Sequence, residues 1–255
     1  MYAEERQQAM ARAVAARGRM SVAELATEYD VTTETVRRDL SALEVMGLLR
    51  RVHGGAVPAS ALTSLEHGLA VRDTAQVDEK DAIARRALAL LPPAGGSIVL
   101  DAGSTTVRLA ECIPRDRRLI VFTHSVPVAA RLVANPAVEL HLLPGIVRPT
   151  TQAAVGPETV AALAPVRVDV AFLGANGITL EHGFSTPDVN EAATKRAIVA
   201  AGRQVVVLAD ATKIGVEATV QFAGLSAVDV LVTDPGIAGR QRKELVAAGL
   251  EVVTP

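Results

Sequence analysis

Short apolar runs rich in β-branched residues recur from residue 97 onward, with helix-like stretches set among them. The runs are Ser97–Asp101, Leu119–Thr123, Val138–Leu143, Val170–Gly174, Val205–Asp210, Val228–Asp234 and Glu251–Val253. The helix-like stretches are Asp78–Leu91, Thr105–Cys112, Val126–Ala134, Pro157–Leu163, Asn190–Ala201 and Ile237–Ala248. A strand that is apolar on both faces has to be covered on both faces. The pattern therefore predicts an α/β fold, a mainly parallel sheet between two helical layers. Only 2% of residues are aromatic, so Ala, Val, Leu and Ile must fill the core. That scarcity argues against an RNA binder built on stacked bases.

Before this alternation the chain reads differently. Up to Val57 the apolar spacing is helical and comes in short pieces. Residues 58–68 carry Pro58, Ser60, Ser64 and Gly68 and no period. The expected organisation is a first module over 1–57, a linker over 58–76 and a second module over 77–255. Hydrophobic residues make up 49% and charged residues 21%, ordinary for a globular chain. Cys112 stands alone, and no Cys/His cluster has zinc spacing, so neither an intrachain disulfide nor a metal or cofactor is expected. The start lacks an apolar leader, and no run approaches the roughly 18 apolar residues of a membrane span. A cytoplasmic location without membrane contact is expected.

In the first module Ala9, Met10, Ala13 and Val14 mark one helix face, and Gly18 follows as a stop. Ser21 and Glu24 have the spacing of a capping box that opens a short second helix. Thr32 or Thr33 can cap a third, running to about Met46, on which Val36, Leu40 and Leu43 share the inward face. Leu48–Val52 and Ala56–Val57 then form a hairpin about His53-Gly54-Gly55. This is a helix-turn-helix with a wing, whose last helix enters the major groove. The module is electrically neutral, with eight Arg against eight acidic residues, so placement carries the case. Arg37 and Arg38 lie on the reading helix, with Arg50, Arg51 and His53 at the wing. Thr32, Thr33 and Thr35 near the helix start can reach phosphate or a thymine methyl. Asp39 reads as an internal partner for an arginine.

In the second module polar residues collect where the strands end. Asp101 and Gly103-Ser104-Thr105-Thr106 lead into a helix, where free amides and hydroxyls suit an anion; a helix start without any ligand is the plainer alternative. Thr123-His124-Ser125, Gly145, Asn176, Asp210 and Lys213 follow later strands. Carboxyl ends of parallel strands share one edge, and ligands bind there. Glu191 and Lys195, at i,i+4, can pair with each other, Asn190 can cap their helix, and both remain candidate site residues. Arg72 and Lys80 read as interdomain or surface residues.

These strings together resemble the DeoR family of bacterial transcriptional regulators. The similarity is carried by Val22-Ala23-Glu24-Leu25-Ala26, by Val31-Thr32 through Thr35-Val36-Arg37-Arg38-Asp39-Leu40, and by Arg51-Val52-His53-Gly54-Gly55-Ala56. In the second module it is carried by Leu100–Thr106, Thr123–Ser125, Asp169–Gly174 and Asp210–Lys213 with Gly215. His124 stands where the family usually has Asn, and Pro144-Gly145 replaces a usual Gly-Gly. The resemblance implies a winged helix-turn-helix followed by a sugar-phosphate sensor related to ribose-5-phosphate isomerase and the CoA transferases. It implies no catalysis, with double-stranded operator DNA, a small phosphorylated sugar and further copies of the chain (a homodimer or homotetramer) as partners. The opening residues Met1–Gln7 are similar to fructose-operon repressors of actinobacteria within the family, which points to fructose 1-phosphate. The alternative is a phosphosugar isomerase fused to a DNA-binding module. Against it, Gly174-Ala175-Asn176-Gly177 offers no carboxylate where isomerases place their base.

Overall fold

The computed structural model describes residues 3–18, 20–52, 54–58 and 68–255, with every side chain among them except those of Glu4 and Arg50. The chain divides into two compact units, Met1–Leu62 and Thr63–Pro255. His53 and linker residues 59–67 lie outside the described residues.

In the first unit α1 (Ala3–Arg17) leads through β1 (Met20–Ser21) to α2 (Val22–Glu28) and α3 (Thr33–Val45). β2 (Leu49–Val52) and β3 (Gly55–Pro58) follow. Ser21 forms both halves of the capping box with Glu24, and Thr32 caps α3 by accepting from the Thr35 amide. Met10, Val14, Leu25, Val36, Leu40 and Leu43 make one buried core with Leu49 and Ala56. β3 pairs antiparallel with both β1 and β2. Gly55 has to be glycine, because a Cβ there would sit 2.1 Å from the Met20 carbonyl oxygen.

Asp39 is buried, and its carboxylate ties α3 to α1. It accepts from Arg6 Nε at 2.7 Å and from Gln7 Nε2 at 2.9 Å. The internal partner is therefore Arg6, and neither neighbour on the helix pairs with Asp39. Asp39→Ala is expected to destabilise this unit by about 2–3 kcal/mol, because it leaves a guanidinium under cover without its counter-charge. Hydrogen exchange of the α1 amides measures this, and protection equal to the parent's would contradict it.

The second unit opens with α4 (Leu69–Asp73), α5 (Val77–Ala87), β4 (Gly96–Leu100), α6 (Ser104–Cys112), β5 (Leu119–Thr123), α7 (Val126–Leu132) and β6 (Val138–Leu142). A hairpin of β7 (Ile146–Arg148) and β8 (Ala153–Val155) precedes α8 (Pro157–Leu163) and β9 (Val168–Gly174). Next come β10 (Gly177–Thr179), β11 (Gly183–Thr186), α9 (Val189–Ala201), β12 (Gly202–Leu208) and β13 (Val220–Ala223). β14 (Val230–Val232), α10 (Gly239–Ala247) and β15 (Glu251–Val253) end the chain. Residues 68–76 belong to this unit and are not linker in character: the Leu69 amide donates to the Thr150 carbonyl at 2.8 Å.

Seven strands form the main sheet in the order β15-β14-β12-β9-β4-β5-β6, with every pairing parallel. Alternate residues feed two cores. Ile98, Leu100, Val170 and Phe172 pack with Ile83, Leu109 and Leu132 on one face. Val99, Ala171 and Leu173 pack with Leu163, Ile198 and Leu245 on the other. The chain runs outward from β4 through β5 to β6, then returns to place β9 on the other side of β4. The strand order reverses there, and such a switch point leaves a crevice at the strands' carboxyl ends. A small antiparallel sheet, β10-β11-β13, was not expected from the sequence; strands of three or four residues are too short to display a period.

Candidate functional site

The crevice at the β4/β9 switch point is occupied by a cavity of about 150 Å³. Three strand ends supply it: Ala102–Thr106 after β4, Gly174–Asn176 after β9, and Leu208–Lys213 at the end of β12. Helix α9 adds Glu191 and Lys195, and the segment before and into α5 adds Val71, Arg72, Ala75, Gln76 and Lys80. Of the residues expected at the site, Gly103, Ser104, Thr105, Thr106, Asn176, Glu191, Lys195, Asp210 and Lys213 line it. No side chain caps α6, so its first amides open toward the cavity beside Ser104 and Thr105. Asp210 folds back on its own turn, accepting from the Thr212 amide at 3.2 Å and from the Thr212 hydroxyl.

Asp101 lies under the lining and is fully buried. Its Oδ2 accepts from the Lys195 ammonium and from the Gly174 amide at 2.9 Å, while its Oδ1 is 3.0 Å from His124 Nε2. Burial by itself would raise the Asp101 pKa; the Lys195 charge and the His124 hydrogen bond outweigh it and hold the carboxyl well below its ordinary range. The opposite ring nitrogen, Nδ1, is 2.7 Å from the Ala154 carbonyl, and Nε2 also lies 3.2 Å from the Ala102 amide. His124 thus braces the β4 loop from behind.

Thr123, Ser125 and Gly145 also stand away from the cavity. Thr123 Oγ1 donates to the Leu100 carbonyl at 2.8 Å, and Ser125 caps α7. Gly145 lies in a crowded turn with φ +141, where a Cβ would come 2.2 Å from Thr159 Oγ1. Their hydroxyls and backbone serve the neighbouring strand and local turns, which strand-end position alone does not reveal. The helix cap is Asp188, accepting from the Glu191 amide at 2.9 Å, in place of the expected Asn190. Glu191 and Lys195 do not pair with each other: Glu191 is held by Arg148 at 2.5 Å and Lys195 by Asp101.

Arg72 and Lys80 correct the surface reading. Both line the cavity, and Lys80 is only 4% exposed. Lys80 Nζ donates to the Arg72 and Ala75 carbonyls, so it also ties down the residues around α4. Desolvation, chiefly, lowers its pKa to about 8; Asp210 raises it, while Lys213, Arg108 and Arg72 push it down. An anion in the cavity would draw the proton back. Nε and Nη2 of Arg72 are buried without a partner. Those two nitrogens form the side-on fork of a guanidinium, the geometry that matches two oxygens of a phosphate or carboxylate. The lining thus sets four cations (Arg72, Lys80, Lys195, Lys213) against two carboxylates (Glu191, Asp210). The sequence signal for Arg72 was weak, because a five-residue helix after a linker leaves no readable period, and Lys80 sits on a helix whose period was legible but whose lysine reads as surface.

On the first unit Thr32, Thr33, Arg37 and Arg38 are exposed along the start of α3, and Thr35 is half-buried. Arg37 pairs with Glu34 at 3.3 Å across the helix surface. Arg51 is exposed on β2 and donates to Ser41 Oγ, which lays its side chain against α3. Arg50 occupies the same strand.

Residues 6–61 match the model described as the DeoR-like helix-turn-helix domain, and residues 75–235 match the DeoR C terminal sensor domain. The HTH-type transcriptional regulator GlpR of Haloferax volcanii is 35% identical over 233 residues, covering 91% of this chain and 90% of that protein. The uncharacterized HTH-type transcriptional regulator FruR of Bacillus subtilis is 34% identical, with 84% of each chain covered. The glycerol-3-phosphate regulon repressor of Escherichia coli is 31% identical, with 85% of each covered. Among solved structures, ribose 5-phosphate isomerase A of Methanocaldococcus jannaschii aligns over 54% of both chains at TM-score 0.40 and 17% identity. With a DNA-reading module and a sensor module matched in that order along nearly its whole length, the chain belongs to the DeoR family of transcriptional regulators.

Proposed function

We propose that this regulator is a repressor of a sugar-utilisation operon whose affinity for double-stranded operator DNA is set by a phosphorylated sugar in the switch-point cavity. One observation carries the reading: a small cavity with four cationic side chains, open helix amides and an unpaired guanidinium fork, beside carboxylates that can accept from hydroxyls. The fork, Lys213 and the α6 amides hold the phosphate; Glu191, Asn176 and Asp210 meet the sugar hydroxyls. DNA affinity then changes tenfold for each 1.4 kcal/mol by which the effector prefers one state of the protein. Two reading heads are required, because one head makes too few base contacts for specificity, so the working form is a homodimer or homotetramer. Fructose 1-phosphate is the first effector to try, on the strength of the N-terminal resemblance.

The test is a gel shift on the DNA upstream of the protein's own gene, titrated with phosphosugars and with their unphosphorylated forms. Only phosphorylated compounds should move the binding curve, and no isomerised product should accumulate. A response to the free sugars alone, or turnover, would reject the reading. Lys213→Ala is expected to weaken phosphosugar binding about tenfold or more by removing a charge-assisted contact. Calorimetry measures it, and operator affinity without effector should equal the parent's. Equal effector affinity in variant and parent would remove Lys213 from the site.

A further inference from the structure

The two edges of the seven-stranded sheet are not alike. β15 offers three residues, a length that blunts an edge. β6 offers five, Val138-Glu139-Leu140-His141-Leu142, with no Pro, no Lys and an unbroken register against β5. Pro, Lys and bulges are devices that keep an edge strand from pairing, and β6 carries none of these three; its one acidic side chain, Glu139, is taken up by His141.

The direction of its backbone groups follows from the ladder. The Ala137 carbonyl accepts from Leu119 and the Leu143 amide donates to Thr123. Odd-numbered residues therefore turn their backbone toward β5, and Leu140 and Leu142 turn theirs outward. Glu139 and His141 project from one face, both exposed, 2.8 Å apart. Leu142 is 57% exposed, and the chain just beyond it carries Ile146 at 74% and Val147 at 48%.

We propose that β6 pairs antiparallel with β6 of a second copy about a two-fold axis at Leu140. In that register Leu140 faces its own copy as a hydrogen-bonded pair, and Val138 faces Leu142. Glu139 and His141 face each other across non-hydrogen-bonded positions, where cross-strand side chains come closest. The axis makes this Glu139–His141 contact twice. A one-residue slip would oppose Glu139 to residues of the other face and turn the paired backbone groups away, so the charges and the ladder select one register. The symmetry is isologous, so pairing closes at two copies and joins two sheets into one. The pairing rests on the sensor unit's edge and not on the effector proposal.

The test is the sedimenting mass of the full chain at micromolar concentration without effector. The parent should contain at least two copies. Leu140→Pro removes an outward amide that β5 does not use, and should halve the mass. Side-chain variants guard against misfolding: Glu139→Lys and His141→Glu should each weaken self-association about tenfold or more, since Glu139→Lys removes the acceptor that faces His141 twice and His141→Glu sets two carboxylates opposite twice. The double variant Glu139→Lys/His141→Glu should recover it. A role confined to one copy would shift the melting temperature and leave the mass alone. A parent that sediments as a single copy overturns the proposal, as does an oligomer whose mass ignores all four variants. Phosphosugar binding measured on the same samples keeps this outcome separate from that of the effector reading.

Discussion

Asp101→Ala is expected to cost the sensor unit about 3–5 kcal/mol, the usual consequence of removing one member of a buried ion pair. The carboxylate is fully buried and answers three groups at once: the Lys195 ammonium, the Gly174 amide and the His124 ring. Without it Lys195 keeps the Gly174 carbonyl, 3.0 Å away, and the face of the Phe222 ring but no counter-charge, and the Gly174 amide loses its acceptor. The same network sets the pH response. Asp101 has a lowered pKa in the folded chain, so its contribution is complete above the unfolded value near about 3.9 and is lost as pH falls toward the folded value. The gap between parent and variant should therefore be widest near neutrality and narrow in acid. Urea unfolding at several pH values measures both. A loss below about 1 kcal/mol at pH 7 would mean that the pair is no stronger than a surface salt bridge.

Much of this architecture could be read from the chain because it is written in local chemistry. The capping box at Ser21, the Thr32 cap and the seven apolar runs each depend on residues close in sequence, and each produced the element expected. The site was legible only as a set of strand ends. That Ala102–Thr106 and Gly174–Asn176 share one crevice follows from β9 lying next to β4, a pairing across some seventy residues. The Asp101–Lys195 pair spans 94 positions, and Arg148 reaches Glu191 across 43. Neither separation has a sequence signature. Lys195 looked like the i,i+4 partner of Glu191, but Asp101 beneath the cavity lining takes Lys195 and Arg148 takes Glu191. Arg72 was hidden for a different reason. Its fork is informative only because two nitrogens are buried without acceptors, and burial is a property of the folded unit.

Arg38→Ala is expected to weaken operator binding by about 1–3 kcal/mol for each reading head, the range of a good arginine–guanine contact, and a two-headed complex loses it twice. The assignment to Arg38 over Arg37 follows from what each already touches. Val36 and Leu40 are buried, and Arg38 lies two residues from both, about 200° round the helix and so on its outer face. Asp39 cannot neutralise it, being engaged with Arg6 and Gln7. Arg37 is tethered to Glu34 and keeps a looser hold on its surroundings, which suits a phosphate more than a base edge. The first residues of a recognition helix are the ones that reach bases, and Arg38 is the sixth residue of α3. The two arginines should then separate in kind as well as size. Arg38→Ala should lower operator affinity far more than affinity for unrelated DNA and relax the preference at one base pair. Arg37→Ala should lower both together and flatten the salt dependence by about one ion per head. Binding titrations on operator and scrambled duplexes at several salt concentrations decide it, with the phosphosugar thermal shift as the control for folding. Unchanged operator affinity in Arg38→Ala would take the base-reading role from that residue.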